Sequence, residues 1–237
     1  MTGAKLTSRK LEFHRAPPEP ADYATLYRVG APSGPAPLVV YVGGALSDQE
    51  REARRYGEPV AVQNEIEAAI RQVPVPRVDV LVCPAPVTSR EPGHGAREQF
   101  IDHLQDELIP ALEAPAPSAL AFVGNSFGAC IATYAALSIE NARALVTFAG
   151  TGIADSAREA QPWLPKDLAI KFFWNLEDLA PRPDTYAPIL AARYRAVIVP
   201  PRAGAHPFED YAANGSVRDA FAFALEHLPM DLDCSRR

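Results

Sequence analysis

Residues 120–132 read LAFVGNSFGACIA, and this stretch limits what the chain can fold into more than any other. Ala121, Phe122 and Val123 run straight into Gly124-Asn125-Ser126-Phe127-Gly128, after which the chain turns small and apolar at Ala129, Cys130, Ile131 and Ala132. The pattern predicts a buried strand, a sharp turn and a helix start, with Ser126 at the apex of a G-x-S-x-G motif. The glycines have a mechanical reason. The serine backbone in such a turn is strained, and side chains at the flanking positions would strike the neighbouring strand and helix. The first N–H groups of the helix then lie beneath Ser126, where they favour developing negative charge. The plainer reading is a glycine-bounded strand–helix turn whose serine merely caps the helix. With 14 glycines in the chain, the bare motif says little. The strand before it and the helix after it give it weight.

The rest of the chain repeats this strand–helix unit. Leu38–Val42 (LVVYV) is a continuous apolar run suited to a strand buried on both faces, Ala144–Phe148 (ALVTF) reads as another buried strand, and Val78–Cys83 (VDVLVC), Leu168–Trp174 (LAIKFFW) and Ala196–Val199 read as further strands. Helical spacing marks the second half of 49–73, then Glu98–Ala114, 127–139, Tyr186–Arg193 and a final helix bearing Val217, Phe221, Leu225 and Leu228, capped by Asn214 or Ser216. Such alternation over 38–228 predicts an α/β fold: a mostly parallel, doubly wound sheet with helices on both faces. Residues 1–37 supply two weaker strands, around Lys10–His14 and Thr25–Val29, expected as an antiparallel edge, and then a linker. Residues 151–166 read as a short polar lid insertion and 229–237 as a tail, within a single domain overall. Prolines cluster between the periodic segments and mark their boundaries.

Composition narrows the function classes. Hydrophobic residues at 48% and charged residues at 22% suit a globular protein. A net charge of −6 without a basic block argues against nucleic acid and anionic membranes. No apolar run approaches a membrane span, and the first residues lack the apolar core of a secretory signal, so a cytoplasmic protein is expected. Three cysteines, Cys83, Cys130 and Cys234, have no metal-type spacing and read as reduced thiols.

Taken in order, four segments resemble the α/β-hydrolase family over about residues 38–228. VVYVGGA at 39–45 is similar to its oxyanion strand and loop, GNSFG at 124–128 to its nucleophile elbow, WNLEDLAP at 174–181 to its acid loop, and AGAHPFED at 203–210 to its histidine loop. The resemblance implies a triad of Ser126, Asp178 and His206, with Glu177 as the runner-up acid one residue away. The chemistry needs these types. A neutral serine hydroxyl requires a base, imidazole exchanges protons near neutrality, and a carboxylate fixes its tautomer. The resemblance also implies an oxyanion hole from the N–H of Phe127 and of Ala45, with Gly44 as the alternative, because Gly43 stands where the family has histidine.

Each residue also has a bland reading. His206 could pack within a surface loop, Asp178 and Glu177 could be solvated loop acids, and Gly43-Gly44 a plain turn. His94 in PGHG, and Trp163 and Leu164 in the insertion, are candidate substrate contacts, or else an idle loop histidine and an anchor for the insertion. The expected activity is cleavage of a small-molecule carboxylic ester or thioester, with no metal and no organic cofactor. Two alternatives stay open: an acyltransferase or carrier-linked thioesterase on the same triad, and a ligand-binding protein without catalysis. A carrier partner would call for a basic rim, for which Arg90, Arg97 and Arg202 are candidates. Oligomeric state is not legible.

Overall fold

Successive side chains of each strand point to opposite faces of the sheet, and this decides the layers. The structure, a computed structural model, describes residues 6–13, 22–30, 35–44, 60–73, 75–84, 95–160 and 167–229. One sheet is built from β1 (Leu6–Phe13), β2 (Asp22–Val29), β3 (Leu38–Val42), β4 (Val78–Cys83), β5 (Leu120–Asn125), β6 (Ala142–Phe148), β7 (Ala169–Phe173) and β8 (Arg195–Ile198). The spatial order is β1-β2-β4-β3-β5-β6-β7-β8. Strands β3 to β8 are parallel, while β2 runs antiparallel to β4 and β1 antiparallel to β2. This edge is bolted on by Arg28, which lies opposite Asp79 in the ladder and grips its buried carboxylate with two bonds of 2.8 Å. A forked guanidinium–carboxylate pair of this kind is among the stronger polar contacts available to a protein.

The helices are α1 (Val60–Gln72), α2 (Gly95–Asp102), α3 (Phe127–Ser138), α4 (Ile153–Glu159), α5 (Pro183–Ala191), α6 (Phe208–Ala213) and α7 (Ser216–Glu226). On β3, Leu38, Val40 and Val42 pack into one layer with Phe100, Phe122, Ile131 and Leu190. Val39 and Tyr41 pack into the other with Ile66, Val123, Phe221 and Leu225. Thus α2 to α5 cover one face, and α1, α6 and α7 the other. Burial on both faces is why LVVYV and VDVLVC are nearly continuous apolar runs rather than alternating ones. α3 is enclosed on nearly every side, from Gly128 to Leu137, which its uniformly small and apolar sequence permits.

Four elements differ from expectation. Residues 98–114 do not form one regular helix. After α2 the chain widens over His103–Leu108, where the Ile109 N–H reaches back five residues to the Leu104 carbonyl at 2.9 Å, and it tightens again over Pro110–Leu112. Pro110 has no N–H, and its ring collides with the carbonyl four residues earlier, so a regular ladder cannot pass through it. The apolar face persists, with Phe100, Leu104, Leu108 and Leu112 all buried. Helix α4 lies inside the polar stretch 151–166, and α6 follows His206 where the sequence shows no helical spacing. Both are too short for periodicity to show: α4 buries Ile153 and Ser156, and α6 only Tyr211. Finally, α7 begins at Ser216, preceded by Gly215 in the left-handed region at φ 78°. The Asn214 Oδ1 atom accepts the Ser216 N–H at 3.1 Å, so Asn214 anchors this start and Ser216 is the first helical residue.

Candidate active site

From β3 the chain steps to β4 on one side and later returns to place β5 on the other. Where strand order reverses in this way, a crevice opens beyond the carboxyl ends of the strands. Ser126 stands there, between the end of β5 and the first residue of α3. Its backbone lies at φ 53° and ψ −123°, a region that side chains other than glycine's rarely adopt. The Ser126 N–H still bonds to the Phe148 carbonyl at 3.1 Å, and the Ser126 carbonyl receives the Ala129 N–H at 3.0 Å. The strained residue is therefore tied to β6 on one side and to the helix on the other.

Both motif glycines are steric necessities. A Cβ on Gly128 would lie 2.2 Å from the carbonyl oxygens of Val42 and Gly43, and one on Gly124 would lie 2.6 Å from the Ala129 Cα. These obstacles are backbone and cannot swing aside. The close approach brings the Gly43-Gly44 turn over the serine: a Cβ on Gly44 would sit 3.2 Å from the Ser126 Cβ. Phe127, as the first residue of α3, carries one of the N–H groups that a helix leaves without a carbonyl partner of its own.

Opposite Ser126, two loops supply ionisable groups. The His206 Nε2 atom lies 3.0 Å from the Ser126 Oγ, and its Nδ1 atom 2.8 Å from the Asp178 Oδ1. The Asp178 side chain is 3% exposed, whereas that of His206 is 45% exposed and reachable from solvent. Asp178 rather than Glu177 faces the imidazole. The neighbouring Glu177 is exposed, and its N–H bonds to the Gly204 carbonyl at 3.0 Å.

A set of residues without a place in the sequence reading holds these loops together. The Asn175 side chain donates to the Ala205 carbonyl at 3.0 Å and accepts from the Asn214 Nδ2 at 2.8 Å. Asn214 also donates to the Ala203 carbonyl at 2.8 Å. The Asp210 Oδ2 accepts the Ala205 N–H at 2.7 Å. Tyr211, fully buried, donates its hydroxyl to the Asp178 Oδ2 at 2.7 Å. Burial, then the bond to Asp178 and its charge, push the Tyr211 phenol far above its ordinary range, so it remains a donor at any working pH. Gly204 is required at φ 125°, where a Cβ would press on Asn175 and Asp210 at 3.0 Å. The one sequence signal for this network is position. Asn175 comes two residues after the end of β7, and Tyr211 comes five residues after His206.

Ala45, His94, Trp163 and Leu164 lie outside the described residues, as do Arg90 and Cys234. Arg97 and Arg202 do not form a free basic rim: Arg97 pairs with Glu159 at 2.6 Å, and Arg202 with Asp219 at 2.6 Å. Cys83 and Cys130 are buried thiols, and burial raises the Cys130 pKa. Among the described residues no group of three His, Cys, Asp or Glu side chains is placed to hold a metal ion, and no helix is long and apolar enough to cross a membrane.

No protein-family model and no curated protein sequence matches the chain. Solved structures do. An S-formylglutathione hydrolase from Agrobacterium tumefaciens superposes with a TM-score of 0.65 at 13% identity, covering 97% of this chain and 98% of that one. A feruloyl esterase module from Clostridium thermocellum gives 0.63 at 12% identity, covering 93% and 89%. Carboxyl esterase 2 from Tuber melanosporum gives 0.61 at 14%, covering 96% and 88%. At such identities the likeness establishes the fold, which is that of the α/β-hydrolases.

Proposed function

On this α/β-hydrolase fold, we propose that the chain is a serine hydrolase that cleaves a small-molecule carboxylic ester or thioester. The observation that carries the reading is the continuous relay from the Ser126 Oγ to His206 at 3.0 Å and from His206 to Asp178 at 2.8 Å. His206 takes the hydroxyl proton as Oγ attacks the carbonyl carbon, and Asp178 holds the ring tautomer and offsets the imidazolium charge. The carbonyl oxygen becomes an oxyanion, to be met by the Phe127 N–H and by a second N–H from Ala45 or Gly44. Each such donor is worth roughly 3–4 kcal/mol. Collapse breaks the C–O or C–S bond, and His206 returns its proton to the leaving alcohol or thiol. Water then attacks the acyl-Ser126 ester, again with His206 as base, and releases the acid. No step calls for a cofactor.

An ester and an S-acyl compound both stand in the names of the neighbouring structures, so both belong in the substrate panel. The internal pairing of Arg97 and Arg202 removes two of the three arginines that a carrier-protein docking rim would use. The test is rapid mixing with p-nitrophenyl acetate and with an S-acyl thioester. A burst of leaving group equal to the enzyme concentration, absent in Ser126→Ala, is expected. Turnover that survives in Ser126→Ala would refute the reading.

A further inference from the structure

We propose that Tyr211 is a positioning residue that sets the basicity of His206 by holding the second oxygen of Asp178. For its effect on rate this rests on the serine-hydrolase reading, but its primary readout does not. The Asp178 Oδ1 atom is shared between the His206 ring at 2.8 Å and the Ala180 N–H at 2.8 Å. Among the described residues, the donor to Oδ2 is the Tyr211 hydroxyl, at 2.7 Å. That hydroxyl has one direction open to it. Its oxygen accepts the Asn175 N–H at 3.1 Å and a bond from the Ala149 backbone, so its hydrogen goes to Asp178. The ring is fully buried, so a water cannot replace it without opening the site. The tyrosine is delivered by α6, which starts two residues after His206, so base and positioning group move as one piece.

A donor on Oδ2 draws negative charge away from Oδ1. The carboxylate then attracts the imidazolium less strongly, and the ring gives up its proton more readily. Among the described residues, two more ionisable groups sit around the pair. One is Tyr186 of α5, whose hydroxyl senses the Asp178 charge, and the other is Asp210 of α6, whose Oδ2 is occupied by the Ala205 N–H at 2.7 Å. Neither supplies the bond on Asp178 Oδ2 that Tyr211 does.

The test is NMR titration of the His206 ring, assigned by its loss in His206→Gln, in the wild type and two variants. Tyr211→Phe removes the donor, and the midpoint should rise by roughly half to one pH unit. Site-specific replacement of Tyr211 by 3,5-difluorotyrosine keeps the shape and strengthens the donor, and the midpoint should fall. The acid limb of kcat/KM should follow in each case. In Tyr211→Phe, kcat should drop about tenfold with little change in KM. A packing role alone would leave the midpoint where it is. Midpoints that stay put, or that move the same way in both variants, overturn the proposal. Should Tyr211→Phe fail to fold, the sign of the shift in the difluoro variant decides. A wild type with no esterase activity whose midpoint still responds in this way would remove the functional reading and leave Tyr211 in its role. An active wild type with an inert midpoint would do the reverse.

Discussion

Ser126 is held by backbone packing, whereas His206 and Asp178 are held by side-chain hydrogen bonds. At Ser126, Gly124 and Gly128 let α3 and the Gly43-Gly44 turn close to distances that no Cβ allows. On the acid–base side, Asn175, Asn214, Asp210 and Tyr211 stitch the loops after β7 and β8 to each other and to the start of α7. The difference follows from what each half must do. On the proposed function, Ser126 as nucleophile must be immobile in a strained geometry, and steric exclusion enforces that without adjustable parts. On the same proposal, His206 as base must change charge during the reaction, and oriented dipoles around it can stabilise both states.

Substitutions can break this contrast. The largest expected effect is in Ser126→Gly, which should lower kcat by about 10⁴-fold or more and yet make the protein more stable. The φ of 53° with ψ of −123° costs a side chain of order 1–3 kcal/mol, of which glycine's extra chain freedom takes back about 0.5–1. Thermal unfolding should rise by a few degrees, and a fall would contradict the packing account of the turn. Next comes Gly128→Ala. With a Cβ 2.2 Å from two carbonyl oxygens, a loss of about 3 kcal/mol or more is expected in denaturant unfolding.

On the other half the effects should be graded. Asn214→Ala removes bonds to Asn175, to the Ala203 carbonyl and to Ser216. We expect roughly 1–3 kcal/mol of destabilisation with a partial loss of kcat, because the loops loosen rather than collapse. A loss of activity as complete as that of Ser126→Gly would mean that this half is as brittle as the nucleophile turn. The smallest effect concerns pH. Burial pushes the Asp219 carboxyl up, but bonds from Arg202 and Arg218 outweigh it and leave its pKa below the usual value. A lowered folded pKa adds stability above the ordinary carboxylate range, and that stability is lost as pH falls through the lowered value. Asp219→Asn should therefore flatten the acid side of the stability curve slightly. Superimposable curves would show that the pair contributes nothing.

The same contrast explains what was legible in the sequence. Strands β3 and β4 were readable to the residue, because a strand buried on both faces is apolar at nearly every position. Gly124 and Gly128 announced the turn because only glycine fits there. The resemblance of the acid and histidine loops to those of the α/β-hydrolase family then pointed to Asp178 and His206, which the structure brings into one hydrogen-bonded line with Ser126. The supporting residues were not legible. Asn175 and Asn214 are common loop residues, and only the folded partner reveals that each makes several bonds. Tyr211 sits in α6, a helix of 6 residues that periodicity cannot distinguish from a loop. The break after α2 was hidden for another reason: the apolar spacing continues through Pro110 although the hydrogen-bond ladder does not.

The most direct test of an activated serine is labelling with a fluorophosphonate probe, followed by peptide mapping of the adduct by mass spectrometry. One adduct per chain on Ser126, lost in Ser126→Ala and strongly slowed in His206→Ala, is the expected result. Folded protein that takes up no label, or that takes it up elsewhere with Ser126 untouched, would contradict the central claim that packing and hydrogen bonding here combine to make a nucleophile.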